Sequence, residues 1–136
     1  MIVLDSSAVV AILRSEPGSA DLANRLAEEL DGRLVMSSAN FVEAGTVLAG
    51  HASADRRQAF RDLDAFIVRY DVELAPVDAA QARLALEARI AFGKGFGGRG
   101  KLNYGDCFAY ALAKSLDAPL LYTGNDFSQT DVASAL

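Results

Sequence analysis

One cysteine, Cys107, stands in the whole chain, so no internal disulfide forms and no set of thiols exists for a zinc knuckle. One histidine, His51, leaves no imidazole cluster to hold a metal, and its place after Gly50 suits a helix C-terminus, where it caps carbonyls. No apolar run approaches the roughly 20 residues of a membrane span. The apolar start MIVLDSSAVVAIL lacks a basic leader and is interrupted by Asp5, which argues against a secretory signal and for the cytoplasm. Positive charge is short as well: 13 Lys and Arg against 18 Asp and Glu give a net charge of −5, a poor global field for attracting nucleic acid.

What the chain does have is a globular composition, 51% hydrophobic and 23% charged over 136 residues, enough for one compact domain spanning residues 1–136. Short apolar runs alternate with helical patterns. IVL and LLY read as buried strands and RLVM and VELAPV as strands, and DSSAVVAIL leads from the first of them into a helix that stops before Pro17 and Gly18. Leu22, Leu26 and Leu30 are spaced four apart on a second helix. A third follows the serines of SSANFVEAGTVLAG, with Phe41, Val42, Val47 and Leu48 as its apolar positions. A fourth, capped by Ser53, carries Phe60, Leu63, Ile67 and Tyr70 as its stripe. Asp78 caps AAQARLALEARIAF, Asn103 caps the helix of LNYGDCFAYALAK, and VASAL closes the chain as a short helix. GKGFGGRGK is too rich in glycine for regular structure and reads as a flexible loop. The expected fold is α/β, a three-layer sandwich with a mostly parallel central sheet of four or five short strands flanked by helices.

In such sheets ligands bind outside the carboxyl ends of the strands, and four acids fall there. Asp5 follows the first strand, Glu43 lies on the helix entered from the second, Asp106 opens the helix leading to the last strand, and Asp126 follows that strand. Each also has a purely structural reading, as a cap, a surface pair or a turn former, and the first turn of a helix welcomes a carboxylate such as Asp106. Collected in one crevice, however, the carboxylates would resist one another's ionisation. A hard divalent cation with oxygen ligands, Mg2+ or Mn2+, relieves that repulsion better than zinc would, and carboxylate-held metal suits phosphodiester hydrolysis. Locally the charge also reverses: Arg83, Arg89, Lys94, Arg99 and Lys101 face only Glu87 between positions 83 and 101. This basic stretch, centred on Lys94, Arg99 and Lys101, is a candidate RNA-binding edge; its alternative is a solvated helix face and loop.

Four blocks, IVLDSSAVVAIL, SSANFVEAGTVL, LNYGDCFAYALAK and LLYTGNDFSQTDV, resemble in sequence and order the PIN-domain ribonucleases, specifically the VapC-type toxins of toxin–antitoxin pairs. The resemblance implies a PIN-like fold and a metal-dependent endoribonuclease acting on structured RNA such as tRNA or rRNA. It implies that Asp5, Glu43 and Asp106 form the acidic triad around Mg2+ or Mn2+, with Asp5 and Asp106 as direct ligands and Glu43 direct or through water. The fourth position departs from the family pattern: the final turn reads Thr123, Gly124, Asn125, Asp126, so either Asn125 or Asp126 fills it. Ser7 and Thr123 resemble hydroxyl positions that orient the ligands, and simple capping is their other reading. A homodimer and a cognate VapB-like antitoxin are further implications. Receiver-type phosphoacceptors fit worse, because Asp5 has no acidic neighbour and LLYTG no lysine; dehalogenase-type phosphatases fit worse because Ser7 stands where they need a second aspartate. The remaining alternative is a catalytically silent PIN-like module that binds RNA or protein.

Overall fold

In the computed structural model, which describes residues 1–29 and 31–136, the elements run β1 (Ile2–Leu4), α1 (Ser6–Leu13), α2 (Ser19–Glu28), β2 (Leu34–Ser37), α3 (Ser38–His51), α4 (Arg56–Arg69), β3 (Val72–Ala75), α5 (Ala79–Phe92), α6 (Tyr104–Leu116) and β4 (Leu120–Leu121). The four strands form one entirely parallel sheet in the order β3-β2-β1-β4. Such sheets need both faces covered, and two apolar clusters cover them. Ile2, Leu4 and Met36 pack with α1 to α4, whereas Val3, Val35 and Leu120 pack with α5 and α6. The alternation within IVL therefore feeds two cores, and the result is the expected three-layer sandwich.

The chain builds β1, β2 and β3 outward in one direction and then returns to place β4 on the other side of β1. That reversal opens a crevice at the carboxyl ends of β1 and β4. Asp5 Nα donates to the Leu121 carbonyl at 2.9 Å across it.

Several local expectations are corrected. VASAL is not a helix: Leu120 Nα donates to Ala133 O and Ala135 Nα to Leu120 O, laying Ser134 beside β4 as an isolated bridge. A piece this short does not repay helix nucleation, and the open edge of β4 offers its backbone a ready partner. Asp55, not Ser53, caps α4, accepting from Arg57 Nα and Gln58 Nα. The buried stripe of α4 is Ala59, Leu63 and Phe66, and Phe60 lies outward with its ring edge-on to Phe41. On α3 the inward positions are Asn40, Ala44 and Leu48, leaving Val42 and Val47 exposed. His51 ends α3 in an exposed position, and the backbone N–H of Ala52 caps that helix instead. Leu30 lies outside the described residues. The glycine-rich segment is closed at its base, where Lys94 Nα donates to Leu102 O and Leu102 Nα to Phe92 O. No helix among the described residues is long and apolar enough to cross a membrane.

Candidate active site

The site begins where β1 ends. Asp5 has extended backbone and caps α1, accepting from Ser7 Nα at 2.9 Å and from Ser7 Oγ at 2.5 Å through Oδ2. It is a structural cap and more than a cap, because the residue is only 1% exposed and its other oxygen, Oδ1, is buried with no hydrogen-bond partner. Burial pushes this carboxyl up to about 6; the Ser7 bonds pull the other way, and the charge of Glu43 adds to the rise. Ser7 Oγ also accepts from Thr123 Nα at 3.1 Å, so one hydroxyl holds Asp5 and ties the β1 end to the turn after β4. Thr123 takes part through its backbone N–H rather than through the hydroxyl the sequence pointed to.

Glu43 enters from α3, where Ser6 Oγ and Asn40 Nδ2 both donate to its Oε1. Asn40 is fully buried, and its Nδ2 also donates to Gly105 O at 2.9 Å, which locks α3 to the first turn of α6. The carboxylate of Glu43 lies so close to Gly105 that a Cβ there would overlap it. A side chain at this position would displace the Glu43 carboxylate from its place against α6. Asn40 Oδ1, like Asp5 Oδ1, is buried without a partner.

Asp106 completes the group from α6. It forms a capping box with Asn103: Asp106 Nα donates to Asn103 Oδ1, and Asn103 Nα donates to Asp106 Oδ2, both at 2.9 Å. The box satisfies two otherwise unpaired N–H groups and fixes the carboxylate. Asp106 is pushed up to about 7, chiefly by burial; the backbone bond from Asn103 opposes this, and the charges of Asp5, Asp126 and Glu43 reinforce it. Asp126 is half-buried and faces Asp106 electrostatically, while Asn125 is exposed and uses its backbone carbonyl to accept from Ser128 Nα. Cys107, next in line, is buried with its thiol pushed up to about 11 by that burial, and it packs rather than reacts.

The chemistry of this donor set is entirely oxygen. Among the described residues no three acidic, imidazole or thiol side chains converge into a ready-made cage, so the arrangement does not match a fully protein-ligated ion. An all-oxygen donor set of this kind is chemically suited to a hard divalent cation that retains water. The unpartnered Asp5 Oδ1 and the repelled Asp106 carboxylate are the oxygens that could hold such an ion. Glu43 Oε1 is already engaged by Ser6 and Asn40, which suits contact through water.

The basic stretch is split by the structure. Arg89 donates from Nη1 to Leu102 O at 2.5 Å and covers the Phe96 ring at 5.1 Å, stapling the glycine loop to α5. Lys94, Arg99 and Lys101 are exposed, and the ion pairs of the described residues use other cations. The loop that carries them runs directly into Asn103 and α6.

Sequence reasoning passed over Asn40, Ser6 and Gly105. The spacing of Asn40 and Glu43, three apart on one helix, was the available signal for the first. For Gly105 the signal was a glycine in a first helical turn, where it costs stability unless something approaches closely.

The model of the PIN domain matches residues 2–133. The chain is 42% identical over 134 residues to Ribonuclease VapC28 of Mycobacterium tuberculosis, covering 98% of this chain and 97% of that protein. Its fold is similar to the crystal structure of Mycobacterium tuberculosis VapC20, a sarcin–ricin loop cleaving toxin, with a TM-score of 0.76 at 15% identity, covering 98% and 97% of the two chains. It is likewise similar to a chain of VapBC2 from Rickettsia felis bound to a promoter DNA fragment, with a TM-score of 0.76 at 18% identity and coverage of 98% and 96%. With a four-stranded parallel sheet, a family match running almost from end to end and a relative 42% identical over nearly its whole length, the chain belongs to the PIN-domain family.

Proposed function

We propose that this chain is an endoribonuclease, the toxin component of a type II toxin–antitoxin pair, and that it works with Mg2+ or Mn2+. The observation that carries the reading is a buried Asp5 whose Oδ1 has no donor, set beside Asp106 and Glu43 with no ion pair to neutralise them among the described residues. Desolvated carboxylates in this state call for an external positive charge. When bound, a divalent ion supplies an acidic water and a counter-charge for phosphodiester hydrolysis. Asp5 and Asp106 would hold it, Glu43 would reach it through a water, and Asp126 would take the fourth position ahead of Asn125. Ser7 and the Thr123 backbone keep Asp5 in place. Lys94, Arg99 and Lys101 meet the RNA backbone, and the whole chain acts as one PIN unit.

The same unbalanced pocket suits a basic side chain of a VapB-like antitoxin, and the naming of a VapBC complex among the similar structures supports such a partner. A homodimer, structured RNA such as tRNA or rRNA as substrate, and the cytoplasm as its place complete the proposal. The alternative, a silent module that binds RNA or protein, is separated by one assay. The purified chain is incubated with total RNA and Mg2+ or Mn2+, alongside EDTA and Asp5→Asn controls. New RNA ends that need both the metal and Asp5 support the enzyme; RNA retention without new ends supports the silent module.

A further inference from the structure

Beside the carboxylates lies a mostly apolar cavity of about 510 Å3, with Val77, Leu86, Arg89, Tyr104 and Phe108 among its walls. It adjoins the site along two elements. On α6, Tyr104 and Cys107 of the cavity flank Gly105 and Asp106; on α3, Ala39 of the cavity precedes Asn40. Tyr104 is the unusual member, an aromatic residue 74% exposed in the first turn of the helix that carries Asp106. Phe108 meets its ring edge-on, 5.1 Å between centroids at 77°. With that contact made, the Tyr104 side chain still stands largely in solvent. Arg89 contributes a planar cation to the same cavity, held in place by Leu102 O.

An aromatic face, a fixed guanidinium and apolar walls next to a phosphodiester-cutting centre are the parts from which single-stranded RNA recognition is built. We infer that this cavity receives an unpaired nucleobase of the RNA, stacked on Tyr104, from a nucleotide neighbouring the scissile phosphate. The inference rests on the ribonuclease reading above. Continuity with the carboxylate site favours this occupant, as do the exposed cations Lys94, Arg99 and Lys101 on the loop entering the same helix. Stacking of this kind tolerates any base, so the cavity positions the strand and adds little sequence preference.

The test uses the whole chain carrying Asp5→Asn, which keeps RNA intact, with a short oligouridine as probe in Mg2+. Tyr104→Ala weakens binding by roughly five- to a hundredfold, the loss typical of removing one stacking platform, and Tyr104→Phe restores it. The chain contains no tryptophan, so Tyr104→Trp introduces a lone indole whose fluorescence is quenched by oligouridine and not by the same strand made abasic. In the active background, Tyr104→Ala raises KM more than it lowers kcat. Equal affinity of the Ala and Tyr chains overturns the inference, as does equal quenching by abasic RNA. Sedimentation velocity on the same samples addresses the other occupant: a change of oligomeric state with unchanged RNA affinity per chain assigns the cavity to a second copy and overturns the inference. If the unmutated chain yields no RNA ends in the preceding assay, the ribonuclease reading and this inference fall together; ends that form equally with Tyr104→Ala at unchanged KM remove the base pocket alone.

Discussion

Two groups of acids in this molecule are treated in opposite ways. Asp131 and Glu29 belong to the outer surface, and each is supplied with partners. Tyr110 Oη and Lys114 Nζ donate to Asp131 at 2.6 and 3.0 Å, and the Met1 amino group and Arg25 reach Glu29 at 2.6 and 3.1 Å. Both carboxyls are held below their ordinary range by those bonds. Asp5 and Asp106 are inside, where unpaired charge is most costly, and have only neutral donors and each other. The chain thus places its cations where water would have screened the acids anyway and withholds them from the acids that need one. Stability alone does not select such a distribution, which is the pattern expected of a functional site.

The comparison breaks most sharply at Asp5. Asp5→Asn keeps the shape and one accepting oxygen for Ser7, yet it is expected to lower RNA cleavage about a thousandfold, equivalent to roughly 4 kcal/mol of transition-state stabilisation; residual rates near those of the unmutated chain in an end-mapping assay would show that the buried acid is structural only. Asn40→Ala comes next. It frees Glu43 and should weaken Mn2+ binding about 10- to 100-fold, the usual scale for a residue that orients a ligand, as read by calorimetric titration. An unchanged affinity would assign Asn40 to helix packing alone. Neutralising Lys94, Arg99 and Lys101 together lowers the log–log salt slope of RNA binding by about one for each phosphate that no longer meets a cation; a constant slope removes the loop from the RNA path.

Acidity sharpens the contrast further. Asp5 titrates near 6 and Asp106 near 7 in the fold, against an ordinary 3.8. Between these limits the metal-free native state binds more protons than the unfolded chain. Their contribution to stability is therefore complete below about pH 4 and lost as the pH rises through 7, at no more than about 1.4 kcal/mol per pH unit per group. Melting followed against pH in EDTA should fall over that range. Asp106→Asn, which retains an acceptor for the capping box, should stay folded, flatten the fall and raise Tm near neutrality; a lower Tm there would show that capping outweighs repulsion. Added Mn2+ should stabilise the unmutated chain more at pH 8 than at pH 5, because protons compete for the same oxygens. The smallest effect is on the surface, where Asp131→Ala costs about 0.5 kcal/mol and leaves cleavage intact. A large loss of activity in that variant would mean that the C-terminal segment is strung to the site through Lys114 and Tyr110.

Much of this contrast was legible beforehand. IVL, LV and LL are short apolar runs that suit a buried parallel sheet, and Asp5 and Asp106 stand at helix starts while Glu43 lies on the helix entered from β2, the positions that the sheet rule points to. The capping role of Asn103 was visible in its local spacing. Asn40 and Gly105 were not, because their importance arises where α3 crosses α6, a meeting of residues 65 apart that no local pattern encodes. Phe60 misled for a related reason: helical spacing defines a stripe, and tertiary packing decides which stripe turns inward. At VASAL the helix propensity of the short tail lost to the unpaired edge of β4.

The strand order has a consequence for how the molecule comes into being. β1 leaves the ribosome long before β4, the strand that completes it, and the Ser7 hydroxyl awaits the Thr123 amide. Asp106 and Asp126 likewise emerge late. A growing polypeptide therefore carries no assembled carboxylate site until its last strand has emerged. Chains that stop before β4 lack the complete site for the same reason.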